Sequence, residues 1–131
     1  MKFHHIGIIV KDINYGLKFY RNIFLKLKVS NTIIDKKIGV KIKFLSGKNN
    51  VLIELISPYG KFSPIKNLIN QKKAIINHLA YKVRNLDNQM TILKKKKCLQ
   101  ISNPIPAKAF NGKRVVFFMT PLNHIIELIE D

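Results

Sequence analysis

The chain of 131 residues carries an internal repeat, and no other feature constrains its fold as strongly. Residues 5–13 resemble residues 78–86, which begin 73 positions later. Further landmarks keep the same register: Gly39 and Gly112, Phe44 and Phe117, and the segments 52–56 and 125–129. A duplicated module predicts that equivalent residues of the two halves take equivalent places in the fold.

Each half is predicted to form a strand, a helix and three further strands, because short β-rich runs are separated by Gly, Asn, Ser and Pro. The predicted elements of the first half are a strand near 3–10, a helix near 13–25, and strands near 27–34, 39–46 and 50–57. Those of the second half are a strand near 76–83, a helix near 86–97, and strands near 98–102, 113–119 and 123–130.

The segment between the halves is predicted to be a linker. Ser63 and Pro64 suit the N-cap and first turn of a short helix near 64–70, and residues 103–106 of the second half read as a stiff extended loop. The predicted fold class is therefore α+β, with two tandem βαβββ modules. They form one domain over residues 1–131, with module one at about 1–57, a linker at 58–75 and module two at about 76–131.

Four polar side chains recur at the repeat offset inside apolar strand sequences: His5 and His78, and Glu54 and Glu127. A single His at the start of a strand is usually structural, and a single Glu in a strand usually faces solvent. Burying an ionised carboxylate without compensation costs on the order of several kcal/mol. The shared register therefore favours a site in which a cation compensates all four side chains.

Two imidazoles and two carboxylates form a mixed nitrogen and oxygen ligand set. This set suits one divalent ion of Zn, Ni, Co, Mn or Fe, and coordination positions left for substrate would make the metal catalytic. His4 and His124 have no counterpart in the other half. Strand alternation directs them to the face opposite His5 and Glu127, so we expect them to be structural or exposed.

The formal net charge of +17 is the most unusual global property. It favours anionic partners through long-range electrostatics, but the lysines are spread along the chain and no nucleic-acid recognition motif accompanies them. Cys98 is the single cysteine, which excludes an internal disulfide. No apolar run approaches a membrane span and the first residues read as a strand. We therefore expect a cytoplasmic protein without a specific nucleic-acid or membrane partner.

The repeated pattern resembles the vicinal oxygen chelate superfamily, which includes glyoxalase I, methylmalonyl-CoA epimerase, extradiol dioxygenases and bleomycin-resistance proteins. Within it, the chain is most similar to the epimerases. The matching motifs are His5-Ile6-Gly7-Ile8, Ile53-Glu54-Leu55-Ile56-Ser57-Pro58, Ser63-Pro64-Ile65, His78-Leu79-Ala80-Tyr81 and Ile126-Glu127-Leu128. The resemblance covers essentially the whole chain and implies the vicinal oxygen chelate fold.

The resemblance also implies an activity: a metal-dependent isomerase or epimerase that moves a proton beside a thioester carbonyl. In that family a divalent ion binds the substrate's oxygens while a carboxylate moves the proton. Mapped onto this sequence, Glu127 is ligand and base, and Glu54 joins it as a catalytic ligand. The implied partner is a small anionic thioester such as a CoA ester. A homodimer is one possible oligomeric state.

The sequence departs from the epimerase pattern at one position. Epimerases carry a second acid two residues before the glycine matched by Gly39, where this chain has Lys37. Asp35 lies two positions earlier, on the same face of a continuous strand, and is a candidate replacement. Asp35, Lys37 and Arg114 are the candidate substrate-binding residues. Lys41, Lys43 and Arg114 are candidate contacts for substrate phosphates, against the alternative of an exposed strand face.

Two other functions remain open. Glyoxalase I uses the same two-His, two-Glu ligand set, but where similar glyoxalases have an Arg and an Asn that serve glutathione, this chain has Ile9 and Pro58. A non-catalytic small-molecule-binding protein of the same fold is the second alternative. Ligands at all four positions favour an enzyme over this alternative.

Overall fold

The structure, a computed structural model, describes residues 1–24, 26–47, 52–71 and 76–131. The helices are α1 (Ile13–Ile23), α2 (Lys66–Asn70) and α3 (Leu86–Lys95), with a short 3-10 helix at Lys108–Phe110. The strands are β1 (Lys2–Ile9), β2 (Lys28–Val29), β3 (Ile33–Asp35), β4 (Val40–Ser46), β5 (Leu52–Pro58), β6 (Ile76–Val83), β7 (Leu99–Gln100), β8 (Ile105–Pro106), β9 (Arg114–Met119) and β10 (Ile125–Glu130). The predicted end of the first helix at 25, the start of the strand near 50–57 and the linker positions 72–75 lie outside the described residues.

The described residues form two compact units, one of Ile6–Asn77 and one that joins Met1–His5 to His78–Asp131. In the first unit, β1 pairs with β5 in parallel, β5 pairs with β4 in antiparallel, and β2 and β3 both pair with β4. Helix α1 packs Ile13 and Leu17 onto a core that includes Leu45 and Leu55. The helix begins at Asp12, whose carboxylate accepts from the backbone N–H groups of the next turn, as an N-cap does.

The second unit has the same plan. Strand β6 pairs with β10 in parallel, β10 pairs with β9 in antiparallel, and β7 and β8 pair with β9. Helix α3 packs Leu86 and Leu93 onto Val116, Phe118 and Leu128. Its N-cap is Asn85, which stands one repeat after the Asp12 cap of α1. Strands and helices thus combine in an α+β fold, as predicted.

The glycine pair predicted by the repeat has one backbone conformation. Gly39 has a φ of 76° and Gly112 a φ of 80°, in the left-handed region that glycine enters without steric cost. Gly39 directly precedes β4 and Gly112 lies two residues before β9, and each glycine turns the chain into that strand. The 73-residue register therefore extends to backbone geometry.

Several predicted element boundaries are wrong for local reasons. The strand predicted near 27–34 is divided into β2 and β3, because the Ser30 hydroxyl accepts from the backbone N–H of Phe44 at 2.9 Å where a strand ladder would continue. Ser63 does not cap α2, whose N-cap is Ile65 without a side-chain bond. The loop predicted at 103–106 contains β8. In the described part of the chain, no helix is long and apolar enough to cross a membrane.

The core of the second unit gives a stability test. Leu128 is fully buried on β10, whereas Leu122 is 81% exposed in the preceding turn. We expect Leu128→Ala to lower the free energy of unfolding by about 2–5 kcal/mol, because it leaves a cavity between α3 and its strands. Leu122→Ala should change it by less than about 0.5 kcal/mol. Urea denaturation followed by circular dichroism measures both, and equal losses would contradict the described core.

Candidate metal centre

Three of the predicted ligands, His5, His78 and Glu127, lie together in one compact unit. The Nε2 atoms of His5 and His78 are 3.1 Å apart. Each Nε2 also lies 3.4 Å from the same carboxylate oxygen, Oε2 of Glu127. The three atoms thus form a nearly equilateral triangle at the ends of side chains from β1, β6 and β10.

Strand register brings the acid of this triangle into place. In the parallel pair of β6 and β10, Ala80 lies opposite Glu127, and in the antiparallel pair Phe117 lies opposite it. The Phe117 ring also meets the His78 ring edge-on, with centroids 5.5 Å apart. A small residue on one side of the carboxylate and an aromatic ring on the other leave it enclosed but able to reach the imidazoles.

Glu54 has the same surroundings in its own unit. Gly7 lies opposite it on β1 and Phe44 lies opposite it on β4, so a small residue and a phenylalanine flank it as they flank Glu127. Glu54 and Glu127 have the same exposed fraction, 4%. The repeat therefore reproduces the environment of the carboxylate as well as its identity.

Within one unit, the buried side chains of His5, His78 and Glu127 are close enough together to bind one metal ion. Glu54, the repeat counterpart of Glu127, stays the predicted fourth ligand. Metal–ligand bonds of about 2.0–2.2 Å place neighbouring ligand atoms of one ion roughly 2.9–3.6 Å apart. The 3.1 Å and 3.4 Å edges of the triangle fall in this range. Two imidazole nitrogens and two carboxylates suit a divalent transition metal, so the residues present fit such an ion.

The structure adds His4, which sequence reasoning treated as structural or exposed, to the surroundings of the group. Its Nδ1 lies 2.8 Å from Nδ1 of His5, and the ring of His5 stacks on Phe110. Alternation along a strand gave no signal for this contact, because it assigns neighbouring residues to opposite faces. The other unmatched histidine, His124, bonds Thr120 through Nδ1 in the turn before β10 and is structural there.

The residues considered for the second acid lie at the end of β3. Asp35 is buried, and its Oδ1 accepts from the backbone N–H groups of Lys37 and Ile38, both at 3.1 Å. This carboxylate thus organises the turn that leads to Gly39. The Lys37 side chain is exposed. A catalytic role for Asp35 and a substrate contact of Lys37 stay predictions.

Arg114 is held by two carboxylates on the surface of the second unit. It donates to both carboxylate oxygens of Glu130, at 2.7 and 3.0 Å, and to Asp87 at the start of α3. The hydrogen bond to Glu130 is the main reason that the pKa of Arg114 is raised, and the same bond lowers the pKa of Glu130. Arg114 therefore ties β9 to β10 and α3, while a substrate contact through it stays a prediction. The other phosphate candidates, Lys41 and Lys43, lie on β4, where Lys43 donates to the Ser30 carbonyl oxygen.

Comparison with protein families identifies the class. The chain belongs to the glyoxalase/bleomycin resistance protein/dioxygenase superfamily, whose family model matches residues 4–117. The human mitochondrial methylmalonyl-CoA epimerase is 32% identical over 117 residues, which are 88% of this chain and 65% of that protein. The chain thus spans slightly less than two thirds of the human relative. The uncharacterized protein YqjC of Bacillus subtilis is 30% identical over 86% of this chain and 79% of its own length.

Solved structures show the same fold. A hypothetical protein from Bacillus halodurans, BH1468, is 31% identical and superimposes with a TM-score of 0.85 over 99% of this chain and 94% of its own. Methylmalonyl-CoA epimerase from Mycobacterium tuberculosis is 21% identical, with a TM-score of 0.81 over 98% of this chain and 87% of its own. The fold is that of the vicinal oxygen chelate proteins, as the resemblance implied.

The candidate metal site leads to a testable prediction. We expect His78→Ala and Glu54→Ala each to abolish stoichiometric binding of a divalent ion, because each removes one ligand of a four-ligand set. Metal content is measured on purified, dialysed protein, and circular dichroism checks that the variants are folded. The control is His124→Ala, which removes an imidazole outside the group and should keep the metal. A tightly bound divalent ion in His78→Ala would refute the ligand assignment.

The Arg114–Glu130 pair leads to a prediction about stability and pH. The pKa of Glu130 is lower in the folded protein than its ordinary value of 4.5. Its contribution to stability is therefore fully present above that value and is lost as the pH falls through the lowered pKa. We expect Glu130→Gln to be less stable than the parent at neutral pH, with a difference that shrinks in acid and at high salt. Thermal unfolding across pH measures this, and a pH-independent difference would contradict it.

Proposed function

We propose that this protein is a divalent-metal-dependent isomerase or epimerase that moves a proton at the carbon beside a thioester carbonyl. The observation that carries the proposal is the buried group of His5, His78 and Glu127, with ligand atoms spaced for one ion. Glu54, which occupies the place of Glu127 in the other module, is the proposed fourth ligand. Relatives named methylmalonyl-CoA epimerase support the thioester substrate class, and their family supports an enzyme.

The reaction needs an acid strong enough to stabilise an enolate and a base placed at the α-carbon. When bound, the divalent ion supplies the Lewis acidity that makes the α-proton of a thioester removable. The buried side chains of His5 and His78 would bind the ion through their Nε2 atoms, which lie 3.1 Å apart. Glu127 is the proposed base, because the resemblance to the epimerases assigns proton transfer to a ligand carboxylate and Oε2 of Glu127 lies 3.4 Å from Nε2 of both His5 and His78.

Returning the proton to the opposite face would require a second acid or base. The exposed Lys37 occupies the position where epimerases carry that acid, and the turn-forming Asp35 lies two positions earlier. With one carboxylate acting, the proton leaves and returns on one face, which favours exchange and isomerisation over inversion. We therefore propose that inversion of the stereocentre is slower than exchange of the α-proton.

Glyoxalase activity is disfavoured by the residues that would meet glutathione. Ile9 is 5% exposed within β1, and Pro58 ends β5. Neither side chain donates a hydrogen bond to a carboxylate, and each missing charge-assisted bond costs roughly 1.5–3 kcal/mol. Two such losses weaken turnover by about a hundredfold or more. The proposal accordingly ranks the thioester reaction above the glutathione reaction.

We expect metal-loaded protein to exchange the α-proton of a CoA thioester for deuterium in heavy water faster than it isomerises the methylglyoxal–glutathione adduct. Glu127→Gln should lower the exchange rate by about a hundredfold or more, because it removes the base. The matched control is Asp131→Asn, which alters a half-exposed carboxylate four positions later that pairs with Lys82. NMR measures exchange, and metal analysis of each variant separates loss of the base from loss of the ion.

Three outcomes would contradict the proposal. Efficient glyoxalase turnover without thioester exchange would reverse the order of the two substrates. Full exchange activity in metal-loaded Glu127→Gln would remove the assigned base. A parent protein that binds thioester with metal but exchanges no proton would support the alternative of a non-catalytic binding protein.

A further inference from the structure

We infer that His4 is a positioning residue that holds His5 in the tautomer able to bind a metal. The inference deepens the proposed function, because it rests on His5 as a ligand. It begins from one contact: Nδ1 of His4 and Nδ1 of His5 lie 2.8 Å apart. Two ring nitrogens at this distance share one hydrogen, so one of them donates and the other accepts.

The other nitrogen of His5 decides which ring donates. Nε2 of His5 lies 3.1 Å from Nε2 of His78 and 3.4 Å from Oε2 of Glu127, so it is the atom that faces the proposed ion. A neutral imidazole binds a metal only through the nitrogen that carries no proton. The proton of His5 must therefore reside on Nδ1, and His4 accepts it.

The His4 ring is itself held in place. It meets the Phe110 ring edge-on, with centroids 5.7 Å apart, while the same Phe110 stacks on His5 at 6.0 Å. Phe110 ends the short 3-10 helix and is followed by Asn111, which has a positive φ of 56°. One aromatic side chain thus fixes both imidazoles, which meet each other at an interplanar angle of 79°. His4 therefore presents Nδ1 in a fixed direction.

This arrangement performs the task of an outer-shell partner. Ligand histidines donate their second ring N–H to an acceptor that fixes the tautomer and raises the basicity of the ligand nitrogen.

A tautomer measurement tests the inference without activity or metal. In metal-free, 15N-labelled protein, long-range 1H–15N correlation spectra should show the His5 proton on Nδ1. His4→Phe keeps an aromatic ring against Phe110 but removes the acceptor, so His5 should populate both tautomers. His4→Asn places an amide oxygen near the position of Nδ1 and should restore the parent spectrum. An unchanged His5 tautomer in His4→Phe would overturn the inference.

Metal affinity gives the second readout, by competition between the protein and a chelator for Zn²⁺. His4→Phe should bind Zn²⁺ about 10- to 100-fold more weakly than the parent, and His4→Asn should recover most of the loss. The control His124→Phe removes an imidazole bonded to Thr120 and should keep the parent affinity. Equal affinity of His4→Phe and parent would overturn the inference. A parent that binds no divalent ion would reject the proposed function, while the tautomer measurement would still decide the role of His4.

Discussion

The constraint on which this structure depends is the burial of two carboxylates among apolar strands. Glu54 and Glu127 are each only 4% exposed, and a carboxylate in such a place needs hydrogen bonds or a cation to offset its lost hydration. The repeat supplies both acids with the same neighbours, and it sets imidazoles at equivalent positions of β1 and β6. Each buried acid therefore marks a place where positive charge is stabilising.

The net positive charge of the whole chain does not compensate the two buried carboxylates. A net charge of +17 comes mainly from lysines spread along the chain, and solvated charges at a distance are screened within about 10 Å at ordinary ionic strength. Only groups in direct contact with the buried acids can offset the hydration that these acids lose. The surface charge instead favours the approach of anionic molecules, which is consistent with a thioester that carries phosphates.

Much of the fold could be predicted from the sequence, because one offset relates the two modules. Equivalent caps at Asp12 and Asn85 and left-handed glycines at Gly39 and Gly112 agree with that offset. Hydrophobic spacing predicts the elements, and the repeat predicts which side chains are equivalent. The same repeat led to the proximity of His5, His78 and Glu127, whereas their role as metal ligands stays a prediction.

The remainder depended on contacts that no periodicity encodes. Ser30 divides a predicted strand because its hydroxyl competes with the ladder, and Ser63 leaves the cap of α2 to Ile65. His4 contacts His5 although alternation separates them, since a ring can turn back toward its neighbour at the start of a strand. Arg114 engages Asp87 and Glu130, residues that are remote from it in sequence. Each of these outcomes follows from side-chain reach in three dimensions.

The division of the chain has a consequence for how firmly the fold closes. Met1–His5 belongs to the same unit as His78–Asp131, so completing that unit closes a loop through all of Ile6–Asn77. Loop closure lowers chain entropy by an amount that grows with the logarithm of loop length. An ion bound only by the folded state adds its binding free energy to stability. An ion bound by His5 together with His78 and Glu127 would hold the two ends of that loop together. The stability of β1 against local unfolding and the fraction of protein that holds an ion should therefore rise and fall together.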